Sequence, residues 1–196
     1  MRVIDWGWYY LVTILDDLSR YVIAWELRRG MQASDVTTVL DLAVERSGVA
    51  GVPVHHRPRL LSDNGSAFIS AELRDYLESR GIGHTRGRPY HPMTQGKIER
   101  YHRSMKNVVT LRNYSIPQDL KAEIARFVAY YNHERVHESL RNLTPADVYE
   151  ARAREILTAR SRVKRQTLGR RRRLNRGLPA TKEELIRPAI FRECLS

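Results

Sequence analysis

Two carboxylates in this sequence stand where an acid can do chemistry rather than merely face solvent. Asp63 closes a short apolar run, Arg59-Leu60-Leu61-Ser62, that reads as a buried strand. Glu99 falls in the first turns of a segment with helical periodicity. Thirty-five residues separate the two. An acid at a strand tip and a second on a helix face can converge on one divalent cation, because hard ions such as Mg²⁺ (or Mn²⁺) take oxygen ligands. Two such ions clamp the attacking and leaving oxygens of a phosphodiester during in-line displacement. Each acid also has a plainer reading. Asn64-Gly65 tolerates positive φ, so Asp63-Asn64-Gly65 is a turn signal. Glu99 has Arg103 at i+4 and could be an ordinary solvated helix acid.

The cations around Glu99 favour the chemical reading. Arg103 and Lys106 lie at i+4 and i+7, on the same helix face, and Lys97 and Arg100 flank it. One acid among cations suits a metal beside DNA phosphates, which Lys and Arg position without reading sequence. A basic solvated face is the alternative. A rival chemistry comes from His133-Glu134-Arg135-Val136-His137, which fits the H-E-x-x-H zinc-protease pattern. That site needs both histidines on one continuous helix, a Glu base and a third ligand, for which Glu155 is available. Arg141 to Pro145 ends any helix soon after His137, so helix-end packing and capping suit these histidines better.

The elements that must hold these residues follow from patterning. Trp8 to Leu15 and Tyr21 to Leu27 read as two strands of an antiparallel hairpin around the turn Asp16-Asp17-Leu18-Ser19-Arg20. Ser34 can cap a helix with Val36, Val39, Leu40 and Ala43 on its inner face, ending at Gly48. Ser70 can cap the next helix, with Leu73, Tyr76 and Leu77 inside and Gly81 as its stop. Gly83-His84-Thr85 reads as a further short strand, and Arg86 to Pro92 as a mobile loop. A long helix runs from about Thr94 to Leu111 with Ile98, Tyr101, Met105, Val108 and Val109 as its apolar stripe. Pro117 opens another, burying Leu120, Ile124, Phe127, Val128 and Tyr131. Thr144-Pro145-Ala146-Asp147 is a capping signature for one more. Early paired strands followed by alternating helices and short strands give an α/β domain around a mixed sheet.

Composition bounds the partners. Residues 151–196 hold 14 Lys/Arg and 4 Asp/Glu, which leaves 20 and 18 in residues 1–150, so the two parts carry +10 and +2 of the net +12. A basic extension on a balanced domain points to a polyanion, most often nucleic acid. We therefore read residues 1–150 as the core domain and 151–196 as a basic extension, helical in composition and Arg-rich at Arg170 to Arg173. The single Cys194 excludes an internal disulfide and a cysteine zinc cluster, which fits a reducing cytosol. No apolar run reaches the roughly 18–20 residues of a membrane span, and no signal-peptide pattern is present.

Three ordered motifs then give a specific resemblance: S-D-N-G-S-A-F at Asp63, H-P-M-T-Q-G-K-I-E-R-Y-H through Glu99, and Y-N-H-E-R-V-H-E-S-L-R-N-L-T-P-A-D-V-Y. The chain resembles the integrase-like core of bacterial insertion-sequence transposases, from Trp6-Gly7-Trp8-Tyr9-Tyr10-Leu11 to about Arg165. That core is similar to retroviral integrases and carries an Asp-Asp-Glu triad whose second Asp and Glu stand 35 residues apart, as Asp63 and Glu99 do. The resemblance implies a ribonuclease-H-like mixed sheet flanked by helices, which patterning alone does not distinguish from other mixed sheets. It implies metal-dependent strand cleavage by water, then strand transfer by the freed 3′-hydroxyl. Asp63 and Glu99 would hold the metal, and Lys97, Arg100, Arg103 and Lys106 the DNA. His91-Pro92, Gln95 and Lys97 match the family's flexible approach to the catalytic helix. Element ends and target DNA would be the partners, bound by a homo-oligomer in the bacterial cytoplasm, at the nucleoid.

The family's first Asp lies on an opening strand, in a D-x-T-like motif several residues before the G-W-Y-Y-L segment. Met1 falls within what reads as the following hairpin, so the triad carries over only as Asp63 and Glu99. The expectation is a core lacking its first strand. Asp5 matches a turn position, and Asp16 and Asp17 match the turn between the next two strands. The alternative function is a catalytically inactive DNA-binding remnant.

Overall fold

A hairpin of aromatic and β-branched residues sits at the centre. The structure is a computed structural model and describes residues 1–87 and 95–177. Strands β1 (Arg2–Val3) and β2 (Gly7–Trp8) pair antiparallel, and β3 (Tyr10–Leu15) pairs antiparallel with β4 (Val22–Arg28). Successive side chains of a strand point to opposite faces. Leu11 therefore packs on one side with Tyr101, Met105 and Tyr131, while Val12 packs on the other with Val39 and Ala43. Helix α1 (Ala33–Ser47) covers the second face, and α4 (Gly96–Val109) with α5 (Pro117–His133) covers the first. Between them in sequence come β5 (Leu60–Ser62), α2 (Ser66–Ile69), α3 (Ala71–Ser79) and β6 (His84–Arg86), with β5 and β6 parallel. Leu73 and Leu77 of α3 pack on Val36 and Leu40 of α1.

The helix ends follow their chemistry, with one shift. Ser70 caps α3, its Oγ accepting the Leu73 amide at 3.2 Å. Thr144 caps α6 (Pro145–Tyr149), and its own amide donates to the Asp147 carboxylate at 3.1 Å. Pro117 occupies the first turn of α5. Helix α1, however, starts before Ser34. Gln32 is its cap, and the Asp35 carboxylate accepts the Gln32 amide at 3.1 Å. An acid three residues inside outcompetes Ser34 because it satisfies an orphan amide and faces the positive helix end. In α4, Tyr101, Met105 and Val109 are buried as expected, but Val108 is 46% exposed because it lies on the solvent side of the last turn.

The strands fall into three two-stranded pairs among the described residues, rather than one continuous sheet. The free edges of β3 and β5 line one cavity of about 440 Å³, which Leu40 and Ala43 of α1 and Ile98 of α4 also line. Met1 extends the β1–β2 ladder along the start of β3, its amino group donating to the Tyr9 carbonyl at 2.6 Å.

One buried polar side chain ties helix to hairpin. Asn132, near the end of α5, accepts the Val22 amide at 2.9 Å and donates to the Val22 carbonyl at 3.1 Å. Tyr149 stacks on Tyr21 of the same hairpin at 4.4 Å. The chain divides into two compact units, Met1–Glu150 and a second beginning at Ala151. The second contains α7 (Ala153–Asn175), a 23-residue helix with no buried residue that runs through Arg170 to Arg173. Among the described residues no helix is long and apolar enough to cross a membrane.

Asn132→Ala leaves two buried backbone groups of Val22 unpaired, each costing about 1–3 kcal/mol. Urea denaturation should show a loss of about 2–4 kcal/mol; a loss below about 0.5 kcal/mol would mean that water or side-chain movement replaces the amide.

Candidate functional site

Asp63 is the first residue past β5. Its Oδ1 accepts the Gly65 amide at 2.9 Å, an Asx turn that fixes the carboxylate, and its other oxygen has no partner among the described residues. Ser62 and Asn64, on either side, are both bonded to Gly87, which follows β6. The Gly87 amide donates to the Ser62 carbonyl at 2.8 Å, and Asn64 Nδ2 donates to the Gly87 carbonyl at 2.8 Å. A Cβ built on Gly87 would stand 3.9 Å from Gln95 Nε2, the cap of α4. The Gln95 carbonyl accepts the Glu99 amide at 3.0 Å. The bonds to Gly87 thus fix both neighbours of Asp63 against the end of β6, and Gln95 carries the first turn of the helix that holds Glu99. The sequence reads Asn64 as a turn residue and Gly87 as part of a mobile loop. Nothing in their type reveals that they bond to each other across 23 residues.

Helix α4 points Glu99 outward because Tyr101 points inward. Two residues are about 200° apart on a helix. Tyr101 is 1% exposed, in T-shaped contact with Tyr131 at 4.9 Å, so Glu99 is in solvent. Its carboxylate has no partner among the described residues. Arg100, Arg103 and Lys106 are also exposed, on the flank and outer side of the same helix. Lys97 is engaged elsewhere. Its Nζ donates to Asp17 Oδ2 at 2.7 Å and to the Asp17 carbonyl at 2.8 Å, tying the start of α4 to the β3–β4 turn. The pair is exposed, worth under about 1 kcal/mol. Asp17 therefore lies on the Lys97 side of α4, about 200° around the helix from Glu99. Asp5 sits in the β1–β2 turn at φ 61°. His91 and Pro92, and the expected helix start at Thr94, lie outside the described residues.

Among the described residues no three His, Cys, Asp or Glu side chains are arranged to hold a metal ion. Asp63 and Glu99 are hard oxygen donors of the kind a Mg²⁺-like ion takes; two carboxylates do not by themselves make a two-ion bridge. The zinc-protease reading fails on geometry. Helix α5 ends at His133, and His137 lies beyond it, bridged in extended conformation to Leu143. The two histidines do not share a helix. His137 instead packs edge-on against Tyr131 at 5.1 Å. Burial, then Arg135, Arg20 and Arg100, lower its pKa to about 4.

The comparisons agree with this architecture. The integrase core domain family matches the chain twice, over residues 1–92 and 80–145. A simian T-cell lymphotropic virus intasome aligns with TM-score 0.63 at 22% identity, over 76% of this chain and 50% of that one. The HTLV-2 integrase catalytic core domain in complex with magnesium aligns with TM-score 0.55 at 21% identity, over 72% and 84%. The fold is that of an integrase catalytic core, of the ribonuclease-H-like class. The chain belongs to the integrase core family, the core shared by insertion-sequence transposases. A transposase-like protein of Haemophilus influenzae is 25% identical over 142 residues, 72% of this chain and 63% of that protein. The chain thus spans less than two thirds of that relative.

His137 supplies a pH signature. Its folded pKa is depressed below the ordinary 6.5, so the unfolded chain binds the extra proton. The stability that depends on neutral His137 is full above about 6.5 and is lost as pH falls towards about 4. Urea midpoints should fall through that window in the native chain and fall less steeply in His137→Asn. Identical pH slopes would place His137 in solvent.

Proposed function

We propose that this chain is the catalytic core of a DNA transposase that cuts and rejoins phosphodiesters. What carries this reading is the placement of both acids with oxygens that have no partner among the described residues: Asp63 at a strand tip held by its Asx turn, and Glu99 on an exposed turn of α4. Asp63 and Glu99 would hold the ion, Mg²⁺ or Mn²⁺, as the magnesium in the HTLV-2 core suggests. When bound, such an ion supplies Lewis-acid polarisation of a phosphate oxygen and a more acidic water. The residues of the chain itself do the positioning. The Asx turn holds Asp63, burial of Tyr101 aims Glu99, and Arg100, Arg103 and Lys106 neutralise phosphates of the strand. Lys97 reaches DNA only by leaving Asp17. The working form on DNA is a homo-oligomer at element ends and target, in the bacterial cytoplasm at the nucleoid.

A second reading, a DNA-binding remnant without catalysis, is favoured by the lack of a third carboxylate among the described residues. The free edges of β3 and β5 are where an extended D-x-T segment would bring one.

The two readings separate on labelled duplex DNA. The chain as it stands should bind DNA and give little or no strand transfer in Mg²⁺. The chain extended at its N-terminus by a D-x-T strand should transfer strands, and Glu99→Gln should abolish that. Robust transfer without the extension, lost in Asp5→Asn or Asp17→Asn, would show that the first ligand is one of those residues. Removing residues 151–196 takes away +10 of the charge and should flatten the dependence of log K on log salt. An unchanged slope would assign binding to the α4 face.

A further inference from the structure

Three arginines from three different elements act electrostatically on Tyr131 and His137 at the end of α5. Arg20 closes the β3–β4 turn in the left-handed region, φ 64°, with its amide on the Asp16 carbonyl at 2.8 Å. Asp16 locks that turn, its Oδ2 accepting the Ser19 amide at 2.7 Å, so Arg20 projects from a rigid corner. Arg100 precedes Tyr101, whose ring touches Tyr131. Arg135 follows α5, and its guanidinium lies 5.7 Å from the Tyr131 ring centroid. Asn132 holds this end of α5 against Val22, two residues beyond Arg20.

Tyr131 and His137 both feel the same three cations, Arg135, Arg20 and Arg100. None of the three forms a salt bridge among the described residues. His137 Nε2 is buried there without a partner among the described residues. Like charges gathered without a salt-bridged carboxylate among the described residues repel, and the arrangement is relieved by an anion that takes several guanidinium N–H donors at once. The motif from Tyr131 to Leu140 thereby gains a role that neither the zinc reading nor the metal corner gave it.

We propose that Arg20, Arg100 and Arg135 form a phosphate clamp that grips one phosphodiester of the DNA strand running past the Glu99 turn of α4. The proposal rests on the DNA-processing reading above. Arg100 joins the two sites, since it neighbours Glu99 and lies within electrostatic reach of Tyr131 and His137. Guanidinium groups suit the task because their planar forks bind phosphate bidentately, which lysine cannot do. The clamp reads no bases; it sets the register of the strand relative to the acids. The competing account is structural: the three cations would only offset the carbonyl end of α5.

The test measures duplex binding by the full chain across a salt series, with Arg20→Gln, Arg100→Gln, Arg135→Gln and the triple variant. Each single change should weaken binding about tenfold. The triple should lower the slope of log K against log salt by about 1. Arg135→Lys, which keeps the charge but loses the fork, should be nearly as weak as Arg135→Gln. A second readout avoids DNA and tolerates partial destabilisation: inorganic phosphate should shift the His137 ring signals in the NMR spectrum of the native chain and not in Arg20→Gln. Native-like affinity and slope in the triple variant, with unchanged urea midpoints, would overturn the clamp while the native chain still binds DNA. Lower urea midpoints with native-like affinity would establish the structural account instead. A native chain that binds no duplex would overturn the DNA-processing reading itself, and phosphate shifts at His137 would then report the clamp alone.

Discussion

The burial of Tyr101 is the constraint on which the site depends. Its ring fills the space between the β3–β4 hairpin and α5, in contact with Phe127 and Tyr131. Such aromatic contacts add about 0.5–1.5 kcal/mol each beyond the area they bury. Because a helix is rigid over a turn, fixing Tyr101 fixes its neighbours. Glu99 is driven to solvent, Arg100 is set towards the end of α5, and Lys97 meets Asp17. A single packed ring therefore orients both Glu99 and Arg100. Asp63 is placed independently, by β5, its Asx turn and the bonds of its neighbours to Gly87.

Charge is divided between the two units. The first is close to neutral, and four of its cations, Lys97, Arg100, Arg103 and Lys106, stand on α4. Helix α7 carries Arg154, Arg160, Arg162, Lys164, Arg165 and Arg170 to Arg173 against the single acid Glu155. A sequence-independent phosphate affinity is expected from such a helix, strongest at low salt. The first unit has less net positive charge but holds its cations in fixed geometry, which is what placing a reacting bond requires.

Much of this was legible in the sequence. The apolar run before Asp63 and the 3.6-residue stripe through Tyr101, Met105 and Val109 placed one acid at a strand tip and the other on an outward helix face. The Thr144 and Ser70 caps and the Pro117 start were readable because side-chain capping is local chemistry. What was hidden depends on contacts between distant segments. Lys97 reads as a free cation until Asp17, eighty residues earlier, is brought against it. Asn132 reads as a surface residue until Val22 needs two partners. The split of the sheet into pairs was unreadable from patterning, because each strand has the same alternation whether or not a neighbour lies along its edge. The three arginines are scattered through the sequence, and only the fold gathers them.

The central claim is that Asp63 and Glu99 share one divalent ion, and paramagnetic broadening by Mn²⁺ tests it most directly. Substoichiometric Mn²⁺ added to ¹⁵N-labelled protein should erase the amide signals of Asn64, Gly65 and Ile98 to Arg100 first, and Asp63→Asn or Glu99→Gln should restore them. Early broadening at Asp16 and Asp17, or erosion spread evenly over all surface acids, would contradict the account.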